Sequence, residues 1–431
     1  MAKPKGEKRS YMCEEINTIK DISSLNLRRP IDRGYVVNWD LQKEIWDHIF
    51  KKVLKIKPKE CHLVLTEPPF NLPAIMHEQD EVIFNHFGFK SALICSPASL
   101  VLADYFNKRP REAGCGVVLD AGFSFAHATP FFDGRVLRKG VRRVNLGGKA
   151  LTNYLKELVS YRQWNMMDEY VLMEDVKEKL CYVAVDGVST ELKKAKVRGP
   201  ANEINREYIL PDGVNVLRGY VKKSNSGTPA RGDPDEEDSD DDDPDDEGDE
   251  GGSKRKKKKS AGGGGKRRRA SGVGASGIGE QCLGMGNERF MVPEALFHPS
   301  DIGLAQAGVA EVVTQAVNAV QKDLRGMLYS NVVLAGGCVA FPGFRDRFEA
   351  ELRPLVPVED ELVLTTGGAA AGGGGSDNEG DPTTCAWRGG SVVGAGPDFA
   401  RLAVTREEYK KDHAEFKQRY EEHVAVMRGR M

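Results

Sequence analysis

No apolar run in this 431-residue chain reaches the ~18 residues that a membrane-crossing helix needs, which excludes a transmembrane reading. The opening residues, MAKPKGEKRSYM, are charged and lead into no apolar stretch, so they do not read as a secretory signal. Cysteine is sparse and unpatterned: Cys13, Cys61, Cys95, Cys115, Cys181, Cys282, Cys338 and Cys385 stand singly, with no Cys-x-x-Cys. Neither a zinc cluster nor a disulfide framework is implied, no metal site is expected, and the chain reads as intracellular and reduced. Net charge is nearly absent at −2, but the balance conceals segregation. Residues 233–250 hold 14 Asp and Glu, whereas 254–269 hold ten Lys and Arg. The remaining chain is long enough to bury a sizeable core.

What is present outside those tracts alternates between short apolar runs and helical periods. YVVNWDLQKEIWDHIF (35–50) predicts a short strand and then a helix capped by Asn38 or Asp40, with Leu41, Ile45 and Ile49 on one face. CHLVLTEPP (61–69) and SALICS (91–96) predict buried strands, and 74–87 and 99–106 predict helices. CGVVLDAG (115–122) is an apolar β run, followed over 123–148 by turn signals typical of antiparallel strands. Helices are expected over 152–160, 174–185, 309–323, 344–352 and 406–423. A hairpin is expected at Pro211-Asp212-Gly213, and a strand at 331–337.

Two segments share one design, VVLDAG (117–122) and VVLAGG (332–337): a buried strand ends in a glycine turn. Such a turn lets backbone N–H groups converge on an anion, and an Asp at the strand end orients a metal-bound water. Gly147-Gly148 precedes a third helix, whose N-terminus also favours anions. Three such turns point to a nucleotide cleft between two lobes, although each by itself is an ordinary feature of α/β proteins.

Nine segments, in this order, resemble the actin superfamily: VVNWDLQKEIWDHIF, LTEPPFN, VVLDAGFSFAH, LTNYLKELVSYR, VKEKLCYVAVD, ILPDG, NERFMVPEALFHPSDIG, NVVLAGGCVAFPGFRDRFEAEL and AWRGGS. They cover most of 31–406, and the pattern is closest to the nuclear actin-related proteins of chromatin remodellers. The resemblance implies an α/β, ribonuclease H-like duplicated, two-lobed fold with a central cleft for ATP. It divides the chain into 31–113 with 382–431 (subdomain 1-like), 114–146 with 305–366 (subdomain 3-like) and 147–221 with 287–304 (subdomain 4-like). Two inserts, 222–286 and 367–381, interrupt these. Residues 1–30 form an N-terminal remnant in which the first Asp-Gly phosphate loop is missing, because the sequence starts short or because the loop is lost.

Carried over residue by residue, Asp120 and Gly122 match the second phosphate loop, and Gly148 the ribose-side glycine. Lys177 and Glu178 match the pair beside the adenosine. Gly336 and Gly337 match the adenosine-loop glycines, and Phe341 the ring against the base. His127 matches the histidine behind the phosphates. Plainer readings stand beside these: a solvated helix pair for Lys177 and Glu178, and core packing for His127, Phe341 and Trp387. The departures carry more weight. Phe123 replaces a carboxylate of the magnesium shell, and Ser124 a glycine that admits phosphate. Pro97 aligns with the glutamine that positions the attacking water, and proline offers no side-chain donor or acceptor. No catalytic residue is therefore expected. ATP or ADP retained as a structural ligand is the only cofactor left open.

The resemblance further implies a non-catalytic scaffold of a Swr-type remodeller, serving ATP-dependent histone-variant exchange. Its partners are that complex's ATPase chain, a HIT-type zinc-finger subunit and the nucleosome, with no membrane. The competing readings are an actin-like ATPase, a nuclear actin-related protein of another remodeller, and a polymer-forming subunit. The 222–286 segment is expected to be disordered. Its basic residues, Lys254, Arg255, Lys256, Lys257, Lys258, Lys259 and Lys266, Arg267, Arg268, Arg269, fit a nuclear-import signal, placing the protein in the nucleus with the cytoplasm as a second compartment. A solvated linker, and acidic and basic runs that contact histones and DNA, are the alternatives.

Overall fold

The computed structural model describes residues 1–4, 9–19, 25–108, 114–197, 199, 202–212, 216–222, 281–367 and 381–415. The ten import-signal residues lie outside this set, as does most of the second insert. Short pairs open the chain, β1 (Ala2–Lys3) with β2 (Asn26–Leu27) and β3 (Ile31–Asp32) with β4 (Tyr35–Val36). Helix α1 (Trp39–His48) is capped by Asn38, whose Oδ1 accepts from the Leu41 N–H at 3.0 Å. Strand β5 (His62–Thr66), helix α2 (Pro73–Glu81) with a π turn over Val82–Phe87, and strand β6 (Ser91–Cys95) follow. Strands β5 and β6 pair in parallel. Their aromatic cluster is tight: the Phe50 ring lies 5.2 Å from Phe87 and 5.3 Å from Phe89. Helix α3 (Pro97–Lys108) begins with Pro97 in its first turn, where the missing N–H costs nothing.

The main sheet combines β7 (Gly116–Ala121), β8 (Ala126–Phe132), β9 (Arg135–Val136) and β10 (Arg142–Val144) with two strands from late in the chain. Helices α4 (Gly148–Arg162), α5 (Tyr170–Leu180) and α6 (Val188–Ala195) come next. A second sheet is built from β11 (Arg206–Ile209), β12 (Tyr220–Val221) and β13 (Cys282–Met285), with β11 in the middle. Then follow α7 (Glu288–Glu294), α8 (Val309–Asn318), α9 (Arg325–Tyr329), β14 (Val332–Ala335), α10 (Phe344–Leu352) and β15 (Leu364–Thr366). The last elements are α11 (Cys385–Ala395), α12 (Phe399–Leu402), β16 (Val404–Thr405), which pairs with β6, and α13 (Arg406–Glu415).

The main sheet runs β10-β8-β7-β14-β15, with β7, β14 and β15 parallel and β8 antiparallel to both β7 and β10. Both faces are covered, which is why VVL reads as a continuous apolar run rather than an alternation. Val117 and Leu119 pack on one side with α4 and α8 residues such as Leu155 and Val313. Val118 packs on the other with Val101 and Tyr105 of α3. Each such fully buried side chain contributes about 1.5–3 kcal/mol.

Three expectations need correction. The insert does not extend to 286: Cys282–Met285 forms β13, because Leu283 and Met285 bury on one face beside β11. The helix expected over 174–185 runs over Tyr170–Leu180 instead, since the Tyr182 and Val183 N–H groups donate to Arg289 and Pro342 carbonyls. The hairpin expected over 206–220 is present, with β11 and β12 paired antiparallel and the Asp212 N–H donating to the Val216 carbonyl; residues 213–215 lie outside the described set. Trp387 is not core; it is 74% exposed.

Candidate functional site

The two glycine turns meet because their strands are parallel neighbours in register, with Asp120 opposite Ala335. Gly122 and Gly336-Gly337 therefore emerge at the same end of the sheet, and the Cys338 thiol donates to the Gly122 carbonyl at 3.3 Å. Gly336 has φ +93°, and a Cβ there lies 2.4 Å from the Ala121 oxygen and 2.8 Å from Asp120 Oδ1. Only glycine satisfies both the left-handed backbone and that approach. The start of α4 closes against the first turn, and a Cβ on Gly147 meets the Gly122 and Phe123 oxygens at 2.7 Å. Helix α5 supplies the third wall through Glu174, Lys177 and Glu178, which its turn spacing places on one side.

These walls enclose a cavity of about 390 Å³. Of the residues singled out from the sequence, Gly122, Gly148, Lys177, Glu178, Gly337 and Phe341 line it, while Asp120 and Gly336 sit directly behind the glycine turns. Phe341 is otherwise buried, so ring packing and cavity lining coexist. Sequence reading missed Glu174, Cys338, Ala340 and Thr383, which also line the cavity. Glu174 was detectable as the residue one turn before Lys177 and Glu178, and Cys338 as the residue following the glycine pair. Thr383 lies beyond the second insert and carries no local signal.

The charges are unevenly committed. Lys177 is buried, and its ammonium donates to Thr152 Oγ1 at 3.0 Å and to the Gly148 carbonyl at 3.3 Å. Enclosure raises the Asp120 carboxyl to about 6, with no opposing cation. Burial likewise raises Glu178, with Lys177 pulling the other way. Arg29 reaches into this corner: its guanidinium lies 4.9 Å from the Phe123 ring centre and 4.4 Å from Tyr170, and it pairs with Glu174 at 3.7 Å. His127, opposite Asp120 across β7 and β8, is held neutral, down to about 3, by burial and then by Arg143. Its Nε2 is buried without a hydrogen-bond partner. Pro97 is not among the lining residues.

The family model described as Actin matches residues 1–420. The chain belongs to the actin family. Its fold is the mixed α/β actin fold, and its curated relatives include several proteins named Actin-related protein 6. That of Oryza sativa subsp. indica is 39% identical over 419 residues, covering 95% of this chain and 89% of that protein. That of Arabidopsis thaliana is 38% identical over 416 residues, with the same coverages. That of Drosophila melanogaster is 32% identical over 418 residues, again covering 95% and 89%.

Actin-family folds bind nucleotide, so the residues present can be tested against ATP or ADP. The nucleoside part fits: Phe341 offers an aromatic ring, Glu178 a carboxylate for hydroxyl groups, and Gly337 a wall without a side chain. The polyphosphate part does not. At the α4 N-terminus, expected from the sequence to favour an anion, the N–H groups of Gly148, Lys149 and Ala150 are already engaged. Gly148 donates to the Gly122 carbonyl at 3.1 Å and Lys149 to the Phe123 carbonyl at 2.8 Å. Ala150 and Leu151 donate to the Gly147 carbonyl, and Gly122 donates to Phe125. Where a magnesium shell calls for a second carboxylate, the loop carries Phe123.

Proposed function

We propose that this chain is a non-catalytic actin-related scaffold, a subunit of a Swr-type chromatin remodeller that exchanges a histone variant into nucleosomes. The observation that carries the reading is the loop after β7, where Phe123 stands in place of a metal-directed carboxylate and whose carbonyls take the Gly148 and Lys149 N–H groups of the adjoining helix start. Phosphoryl transfer depends on holding the metal and on orienting the nucleophile. Phe123 removes the first function. Pro97, in the first turn of α3, removes the second. A body with this fold then serves by being held between partners, and turnover belongs to the remodeller's own ATPase chain. The names of the relatives support the same reading. Nuclear residence, through the basic runs at 254–259 and 266–269, belongs to the proposal, as do a HIT-type zinc-finger subunit and the nucleosome as partners.

The test is affinity purification of the tagged full chain from nuclear extract, with an ATPase assay on the chain purified alone. Co-elution of a remodeller ATPase and a HIT-type zinc-finger subunit, with no turnover above buffer, is the expected result. Steady ATP turnover abolished by Asp120→Ala overturns it and establishes the alternative, an actin-like ATPase, which the retained Asp120 favours.

A further inference from the structure

We propose that this cleft binds an uncharged nucleoside in preference to its di- or triphosphate, so that its ligand is a nucleoside-sized heterocycle with hydroxyl groups and not MgATP. The inference rests on the reading of the cavity as the family's nucleotide site and goes beyond it by naming the ligand class.

Three independent features carry it. The first is the helix start. The N–H groups of residues 148 to 150, three of the four that an α-helix leaves open to an anion, donate to protein carbonyls. The second is charge. Among the described residues lining the cavity, Lys177 is the one cation, and its ammonium is turned into α4 against Thr152 and Gly148. Glu174 and Glu178 line the same cavity, and Asp120 lies behind it, so an entering polyphosphate meets three carboxylates against the single Lys177 ammonium, which already holds two neutral acceptors. Arg29 does not supply one, because it stacks between Phe123 and Tyr170 and faces Glu174. The third is space. The cavity of about 390 Å³ lies near the lower end of the roughly 300–1,000 Å³ of ligand pockets. Phe123, on the loop after β7, adds a bulky apolar side chain to the lining.

The remaining lining is suited to what is left of a nucleotide. Phe341 gives a ring face, Gly337 leaves room beside it, and a carboxylate at Glu178 accepts from a diol. A neutral ligand also avoids the cost of bringing phosphate charge into a partly dehydrated site.

The experiment is calorimetric titration and thermal shift on the full chain with adenosine, ADP and MgATP, each also run on Phe123→Gly and Glu178→Gln. Phe123 is 39% exposed, so its removal is tolerated by the fold, and circular dichroism checks this. Adenosine is expected to bind the native chain at least tenfold more tightly than MgATP. Phe123→Gly is expected to narrow that ratio by improving MgATP, and Glu178→Gln to weaken adenosine at least fivefold. MgATP binding as tightly as adenosine to the native chain overturns the proposal and leaves the cleft reading standing. Binding of none of the three overturns both. Adenosine binding unchanged by Glu178→Gln also overturns the proposal, since the ligand then sits elsewhere.

Discussion

Asp120 and His127 face each other across β7 and β8 and titrate with opposite sign. The Asp120 carboxyl sits at about 6 in the folded chain, against an ordinary value of 3.8. Between those values the folded state holds a proton that the unfolded state has released, so stability falls as pH rises through the window. Asp120→Asn should therefore match the native chain near pH 4 and exceed it by roughly 2–3 kcal/mol above pH 6. His127 is at about 3 against 6.5. Below 6.5 the unfolded chain takes up a proton that the folded chain refuses, so stability falls as pH drops toward 3. His127→Gln should flatten that acid limb and leave the neutral range little changed. Urea unfolding of both variants from pH 4 to 8 measures the two slopes. At Gly336, substitution by alanine forces a side chain onto the Ala121 carbonyl at a positive φ, and a loss of about 1–3 kcal/mol is expected in the same assay. At this scale the sequence was most informative about what had been replaced. Phe123 and Pro97 stand out as departures once the sequence is set beside the actin pattern. That the Gly148 and Lys149 N–H groups are spent on the loop carbonyls depends on backbone geometry, which a glycine pair does not encode.

Single helices and strands were legible where period and burial agree. FRDRFEAEL forms α10 over the expected residues, because Phe344, Phe348 and Leu352 repeat every fourth position and all are buried. β13 was hidden, because four residues of alternating burial between glycines offer too little period to detect. Ties between elements were hidden as well. Arg347 bonds Glu351 one turn on, a pair visible in the sequence, but its main partner, Glu294 on α7, lies far off in the chain. The guanidinium spans both Glu294 oxygens, at 2.8 and 3.3 Å, and donates to the Ala184 carbonyl at 2.6 Å. His298 adds a 2.8 Å bond to Glu294. Glu294, His298 and Glu351 lie close enough together to suggest a cation site, and Arg347 already supplies that positive charge. Arg347→Met leaves Glu294 buried beside no guanidinium and should cost about 3–5 kcal/mol in urea unfolding. Pairing it with Glu294→Leu should recover most of the loss, because the orphaned charge goes with it.

For the molecule as a whole, local pattern identifies most strands but not their neighbours. Nothing in the period of VVLDAG or VVLAGG says that strands more than 200 residues apart lie side by side in parallel. The likeness to actin supplied that order, and the register of β7 on β14 accounts for why both glycine turns reach one cavity. The first insert poses the opposite case, a long segment on which the core makes few demands. Residues 223–280 lie outside the described set, and the strands on either side of them belong to one sheet. Their anchors are firm: Lys222 donates from its N–H to the Glu207 carbonyl, and the Gln281 carbonyl accepts from Leu210. Because β12 and β13 flank β11, these anchors are about two strand spacings apart, roughly 10 Å, plus an offset along the strands. Eight Gly and Ser residues, at ~3.3 Å each when extended, span that gap with slack. Replacing 223–280 with such a linker should leave the thermal midpoint unchanged or slightly raised, since shortening the closed loop gains no more than about 2 kcal/mol. The same replacement removes both basic runs, and a fluorescently tagged chain should then shift from nucleus to cytoplasm. Persistence in the nucleus of a chain that still folds would assign import to a bound partner and not to Lys254–Lys259 and Lys266–Arg269.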